Sequence, residues 1–306
     1  MKKHTLILAA TLFTGLAVFT SCEKEDDSRP ANADMTIAEY VIGNPTFSSL
    51  AGALSKAGLV DALNGEGEFT VFAPSNAAFA ALLNQLGASS LDDIPTETLT
   101  AVLLYHVFGE ERKAASLSEG YYNTLSPAQN SYLSLNIMVK NGVMINNSVK
   151  VLAKDVDVKN GVIHFVDKVI LPPTVVDHAL ANENFSILVD AVVKAGLVET
   201  LSGNGPFTIF APTNQAFQAL FAQLGISGIS DLTPEQLVPI LTYHVVSGNI
   251  RSTDLSAGTV ETLNGSVNIT LSPAPAINST SNIVATDVQA ANGVIHVIDE
   301  VLLPSK

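Results

Sequence analysis

The sequence predicts an α+β chain in which one unit is written twice. Three observations carry this expectation. The 306 residues suffice for two domains at roughly 100 to 200 residues each. The stretch from Phe47 to Leu82 returns as Phe185 to Leu220, at an offset of 138 residues (Phe47 to Phe185). Within each copy helical patterns come first and strand patterns follow, unlike the alternation of a doubly wound parallel sheet. A repeat of this length is a domain rather than a solenoid turn. The expected domains cover residues 35–171 and 173–304, joined near Pro172-Pro173 with little room for a linker.

Each element has a local reason. Ser48 to Ala57 carries apolar residues at helical spacing and is stopped by Gly58, whose missing Cβ suits a left-handed cap. Phe69 to Ala73 is a β-rich run ended by Pro74. Asn76 is expected to cap a helix through Leu83. Thr96 to His106 is helical, with Leu99, Leu103 and Val107 on one side. Ser131 to Val139 alternates as a half-buried strand does, Lys140-Asn141-Gly142 supplies a turn, and Gly161 to Leu171 closes the copy as an apolar strand before Pro172. The offset between copies falls to 132 residues by Asn160 to His164, which match Asn292 to His296. Six residues therefore separate the copies in length, between Leu125 and Ile145.

Composition narrows the function. With 15 basic against 29 acidic residues and a formal net charge of −14, the chain repels phosphate backbones, and no basic cluster reverses this locally. Nucleic acid is not an expected partner. Cys22 is the only cysteine, which excludes an intramolecular disulfide framework and a Cys-rich zinc site. Trp is absent, so sugar recognition would have to rest on smaller rings.

The first residues read as an export signal. Lys2 and Lys3 precede an apolar run from Leu6 to Phe19, the length of a signal-peptide core and too short to span a bilayer. Phe19-Thr20-Ser21-Cys22 resembles the bacterial lipoprotein cleavage box, with Phe19 in place of the usual Leu. The resemblance implies removal of residues 1–21 and acylation of Cys22, which would fix the protein to a membrane. Residues 22–34 form an acidic, flexible tether. Cys-Glu-Lys-Glu-Asp-Asp also resembles the signal that sends lipoproteins of Bacteroidetes to the outer face of the outer membrane. Cell-surface exposure and the periplasmic face both stay open.

The repeated motifs resemble a known family. Phe69-Thr70-Val71-Phe72-Ala73-Pro74-Ser75-Asn76-Ala77-Ala78-Phe79 and Phe207 to Phe217 are similar to the first signature of the fasciclin, or FAS1, domain. Leu104-Tyr105-His106-Val107 and Thr242-Tyr243-His244-Val245 fall where the second signature would be, and Asn160 to His164 and Asn292 to His296 look like the closing strand. The resemblance implies two tandem FAS1-like domains, each a wedge-shaped β-sandwich flanked by small helices, and a usual role in cell adhesion or matrix contact. It also associates the Tyr-His region with integrin-dependent adhesion in animal members. Tyr105, His106, Tyr243 and His244 are thus the candidate partner-contact residues. The competing reading is that a histidine near a helix end bonds a carbonyl or hydroxyl and closes local structure.

Chemistry finds little support. No His-x-x-x-His or His-x-His spacing exists for zinc. Asp155 to Gly161 fails as a calcium loop because the glycine falls one place late and Lys159 occupies a ligand position. No Gly-x-Ser-x-Gly elbow occurs, and Gly203-Asn204-Gly205 leads into a strand rather than a helix that could cradle phosphate. The expected protein is no enzyme and needs no cofactor or metal. It is a lipid-anchored envelope protein that binds a cell-surface or matrix macromolecule. The alternative is a binding module for a glycan or small ligand, with Tyr121 and Tyr122 as first stacking candidates on opposite sides of a strand.

Overall fold

The computed structural model describes residues 32–304. The expected leader (1–21), Cys22 and most of the tether lie outside the described residues. Among the described residues no helix is long and apolar enough to cross a membrane.

The first copy runs α1 (Ile37–Gly43), α2 (Ser48–Ala57), α3 (Val60–Asn64), β1 (Phe69–Pro74), α4 (Asn76–Leu86), α5 (Thr96–Tyr105), β2 (Val107–Phe108), β3 (Gly120–Ala128), β4 (Ser131–Met138), β5 (Met144–Ile145), β6 (Val149–Val158) and β7 (Gly161–Val166). The second repeats it as α6 (Val175–Leu180), α7 (Ser186–Lys194), α8 (Val198–Ser202), β8 (Phe207–Pro212), α9 (Asn214–Leu224), α10 (Pro234–Tyr243), β9 (Val245–Ser247), β10 (Gly258–Thr262), β11 (Gly265–Thr270), β12 (Ala276–Ile277), β13 (Ser281–Ala290) and β14 (Gly293–Ile298). The sheet orders are β2-β1-β7-β6-β5-β4-β3 and β10-β11-β12-β13-β14-β8-β9, the same path traced in opposite directions. Among the described strands, β1 with β7 and β8 with β14 run parallel and the other pairs run antiparallel.

Each sheet folds over itself. The register of β6 against β7 shifts twice near Asp155, which has φ +61°, and Asp287 repeats this in β13 with φ +62°. Such bulges bend a strand and raise its twist. The β3-β4-β5 half therefore lies across β1, β2 and β7, enclosing Phe72, Phe108, Leu133, Leu135, Ile137 and Val166. The helices cover the opposite face, where Phe47, Leu50, Leu99 and Leu103 bury Val71 and Ile163. Neighbours Val71 and Phe72 thus serve different cores, as the two-residue period of a strand requires.

Three local expectations change. Ser75, not Asn76, caps α4, accepting from the Ala78 N–H. Asn76 instead ties helices together: its Oδ1 accepts from Ser49 N–H and its Nδ2 donates to the Pro45 carbonyl, both at 2.9 Å. Thr213 and Asn214 divide the work in the same way. The closing strand stops at Val166 rather than Leu171, because Asp167 turns the chain by accepting from Lys150 N–H at 2.8 Å. Finally, β4 alternates in sequence but not in exposure, since Ser134 and Asn136 are as buried as Leu133 and Leu135.

The second copy covers them. Gln289 on β13 donates its N–H to Ser134 Oγ, and Asn136 Nδ2 donates to the Ala181 carbonyl at 3.1 Å. Tyr121 packs on the core of the second copy, its hydroxyl accepting from Asn182 Nδ2 at 3.0 Å and its ring edge-on to His178 at 5.5 Å. Its neighbour Tyr122 faces the other way, stacked 5.7 Å from Phe108 with the Arg112 guanidinium 4.9 Å above. The connector is bonded too, with Ala291 N–H donating to the Pro173 carbonyl.

Candidate functional site

Tyr105 ends α5, where the helix delivers its ring between the two halves of the folded sheet. It is fully buried. Its hydroxyl donates to the Ser134 carbonyl at 2.8 Å and accepts from Asn146 Nδ2 at 3.0 Å. Burial pushes the phenol upward, partly offset by the Asn146 bond. Tyr243 ends α10 identically, donating to the Ser266 carbonyl at 2.8 Å and accepting from Asn278 at 3.3 Å. A buried phenol needs both bonds, because an unpaired hydroxyl in an apolar setting is expensive.

The adjacent histidines close the helix ends. His106 receives the Ile170 N–H on Nε2 at 2.9 Å, so its proton sits on Nδ1 and is donated to the Val102 carbonyl at 2.7 Å. His244 does the same with Leu302 N–H and the Ile240 carbonyl. Burial holds both imidazoles neutral, lowering each to about 4 against the opposing pull of the carbonyl bond. His164 and His296 hold the bulges: Nδ1 accepts from the Asp155 or Asp287 N–H, and Nε2 donates to the Arg112 or Ile250 carbonyl. Burial lowers these two as well. Among the described residues no cluster of histidine, cysteine or carboxylate could hold a metal ion.

The closing motif is equally structural in its bonding. Asn160 accepts from Ile37 N–H and donates to the Leu63 and Gly65 carbonyls, and Asn292 repeats all three bonds with Val175, Leu201 and Gly203. A Cβ on Gly161 or Gly293 would overlap the carbonyl oxygen of Phe69 or Phe207.

The structure thus places Tyr105, His106, Tyr243 and His244 inside the protein, the most exposed of them showing 4 % of its surface. Their contact with the outside runs through the residues they hold. Asn146 and Ile170, the partners of Tyr105 and His106, both line a crevice of about 510 Å³ between the copies, together with Lys168, Leu171, Pro173 and Asp177. Asn146 Oδ1 also accepts from Asn136 N–H at 2.9 Å, so one asparagine joins the tyrosine, the interface strand and the crevice wall. A smaller cleft of about 240 Å³ opens near Tyr121, lined by Glu119, Asn136, Lys140, Asn182, Glu183 and Asn184.

The match to known proteins follows the two copies. The fasciclin domain model matches residues 45–172 and 183–304. The chain belongs to the fasciclin domain family. Protein sll1483 of Synechocystis sp. is 46% identical over 132 residues, 43% of this chain and 73% of that protein. Transforming growth factor-beta-induced protein ig-h3 of Sus scrofa is 32% identical over 275 residues, 86% of this chain but only 38% of that protein. The cell surface glycolipoprotein MPB83 of Mycobacterium bovis is 33% identical over 144 residues, 45% of this chain and 60% of that protein. A solved FAS1 domain pair from the insect cell adhesion molecule fasciclin I covers 86% of this chain and 98% of its own, at a TM-score of 0.52 and 19% identity. That likeness establishes the fold of a tandem pair.

The interface between the fasciclin domains was not foreseen from sequence, although a signal for it exists. Asp157 in the first domain pairs with Lys113 at the surface, and its counterpart in the second is Gln289, which is buried against Ser134. A charge exchanged for a neutral amide between otherwise matched copies marks the position that is covered.

Proposed function

We propose that this protein is held at the cell envelope by a lipid on Cys22 and binds a cell-surface or matrix macromolecule, without chemistry, through the crevice between its two fasciclin domains. The observation that carries this reading is the buried polar seam of Ser134, Asn136, Ala181 and Gln289, which ties the two domains together beside the larger of the two concavities they share. A partner would meet fixed geometry and lose less entropy on binding than at a hinged pair. In this reading Tyr105 and His106 act by fixing Asn146 and Ile170, and Tyr243 and His244 keep the second domain in shape. The apolar run before Cys22 and the names of MPB83 and fasciclin I support the envelope setting.

A second reading, capture of a glycan or small polar ligand, draws on the cleft near Tyr121, where amides and carboxylates converge beside an aromatic ring. Protease treatment of intact cells, with a Cys22→Ala variant beside it, tests the anchored, outward-facing arrangement. Digestion of the wild type and loss of display in the variant are expected. Survival until the outer membrane is opened would move the partner into the periplasm.

A further inference from the structure

The interiors of the two domains differ at one matched place. Among α6, α7, α8, β8 and α10 the second domain contains an apolar cavity of about 100 Å³. The matching space in the first domain measures about 10 Å³. All ten residues around that smaller space have their counterparts around the larger one. Three of them shrink: Ile37 becomes Val175, Val41 becomes Ala179 and Leu54 becomes Val192. One grows, Val71 to Ile209. Four carbons are removed and one is returned, and the space stays open instead of collapsing.

The lining fixes what can enter. His244 brings the imidazole, but both its nitrogens are taken by the Ile240 carbonyl and the Leu302 N–H, so water finds no partner there. An apolar cavity of roughly 150 Å³ stays dry and accepts benzene or xenon, which sets the guest here at about four to six carbon atoms. Leu180 and Val193 stand at the rim, 56% and 60% exposed, where the first domain has Ile42 and Ser55. The same three helices carry exposed Asp177, Asp190 and Glu199, while Lys194 is held by the Ile229 and Ser230 carbonyls. An anionic headgroup is therefore disfavoured at the entrance.

We propose that the second domain, and not the first, binds a neutral molecule by inserting a small hydrocarbon group into this cavity. The site is independent of the adhesion reading. Leu180 also lines the crevice, whereas Val193, the other rim residue, lies outside it.

Methyl-labelled full-length mature protein titrated with hexan-1-ol and, separately, hexanoate tests this by NMR. Saturable shifts of the Ala179, Leu188 and Val192 methyls with hexan-1-ol are expected, with Leu50 and Leu54 silent and hexanoate weaker by about tenfold or more. The triple variant Val175→Ile, Ala179→Val, Val192→Leu restores the first domain's residues and should abolish binding while raising Tm. The single Ala179→Val change should weaken binding by about tenfold and keeps the test decisive if the triple variant packs poorly. Absence of saturable shifts in the wild type, equal binding by hexanoate, or undiminished binding by Ala179→Val would each overturn the proposal.

Discussion

The backbone N–H of Gln289 donates to Ser134 Oγ at 3.0 Å, a buried bond between residues 155 positions apart in the chain. The counterpart of Ser134 in the second domain is Ser266, which is exposed on β11. One serine is part of an interface and the other is part of a surface, though the carbonyl of each accepts the hydroxyl of the matching tyrosine, Tyr105 or Tyr243.

Ser134→Ala should therefore destabilise the protein by about 1–3 kcal/mol, because the Gln289 N–H is left buried without an acceptor. Ser266→Ala should change stability by less than about 0.5 kcal/mol, as exposed substitutions usually do. Urea unfolding of the two variants side by side checks the pair, and equal effects would contradict the interface.

Asn160→Ala removes three bonds to the backbone around α1 and α3 and leaves an N–H and two carbonyls inside the first domain without that partner. Asn292→Ala does the same in the second. Each should cost about 3 kcal/mol or more, and thermal unfolding followed by domain-specific amide exchange should show the loss confined first to the mutated copy.

Acid should weaken the fold well above the carboxylate range. His106, His178 and His244 are buried and neutral, each lowered to about 4, while an unfolded histidine titrates near 6.5. Between these values the unfolded state holds more protons, so stability falls as pH drops from about 6.5 to 4, by up to about 1.4 kcal/mol per pH unit for each histidine. His178 adds a position-specific element: its Nδ1 has no bonding partner among the described residues, and its ring meets Tyr121 across the interface. Urea midpoints at pH 7 and pH 4.5 measure the slope, and a flat profile would contradict neutral burial.

Much of this architecture was legible in the residues. Gly58, Pro74 and the repeated motifs located helix ends and strand ends, because those are local events decided by one or two dihedral angles. The FAS1 resemblance gave the sandwich, which no local pattern around Asp155 announces, since a bulge depends on the strand beside it. Ser75 and Asn76 show the limit at short range: both can cap a helix, and only the position of Ser49 and Pro45 in space decides that Asn76 bridges instead. Ser134 and Asn136 show the limit at long range. Their alternation with Leu133 and Leu135 reads as an exposed face, and the second domain turns that face inward. The Tyr-His pairs stood out because they repeat, and what repeats in both copies serves the fold that both copies share.

In the proposed function a partner is met at the crevice between the domains. Beads coated with mature protein, presented to host-matrix and cell-surface panels, test it when wild type is compared with Leu171→Glu, which places a charge on an exposed crevice residue, and with Leu152→Glu, an exposed substitution on β6 away from it. Wild type and Leu152→Glu beads should adhere alike, while Leu171→Glu beads should lose most of their binding at unchanged Tm. Adhesion by Leu171→Glu beads equal to wild type would contradict it.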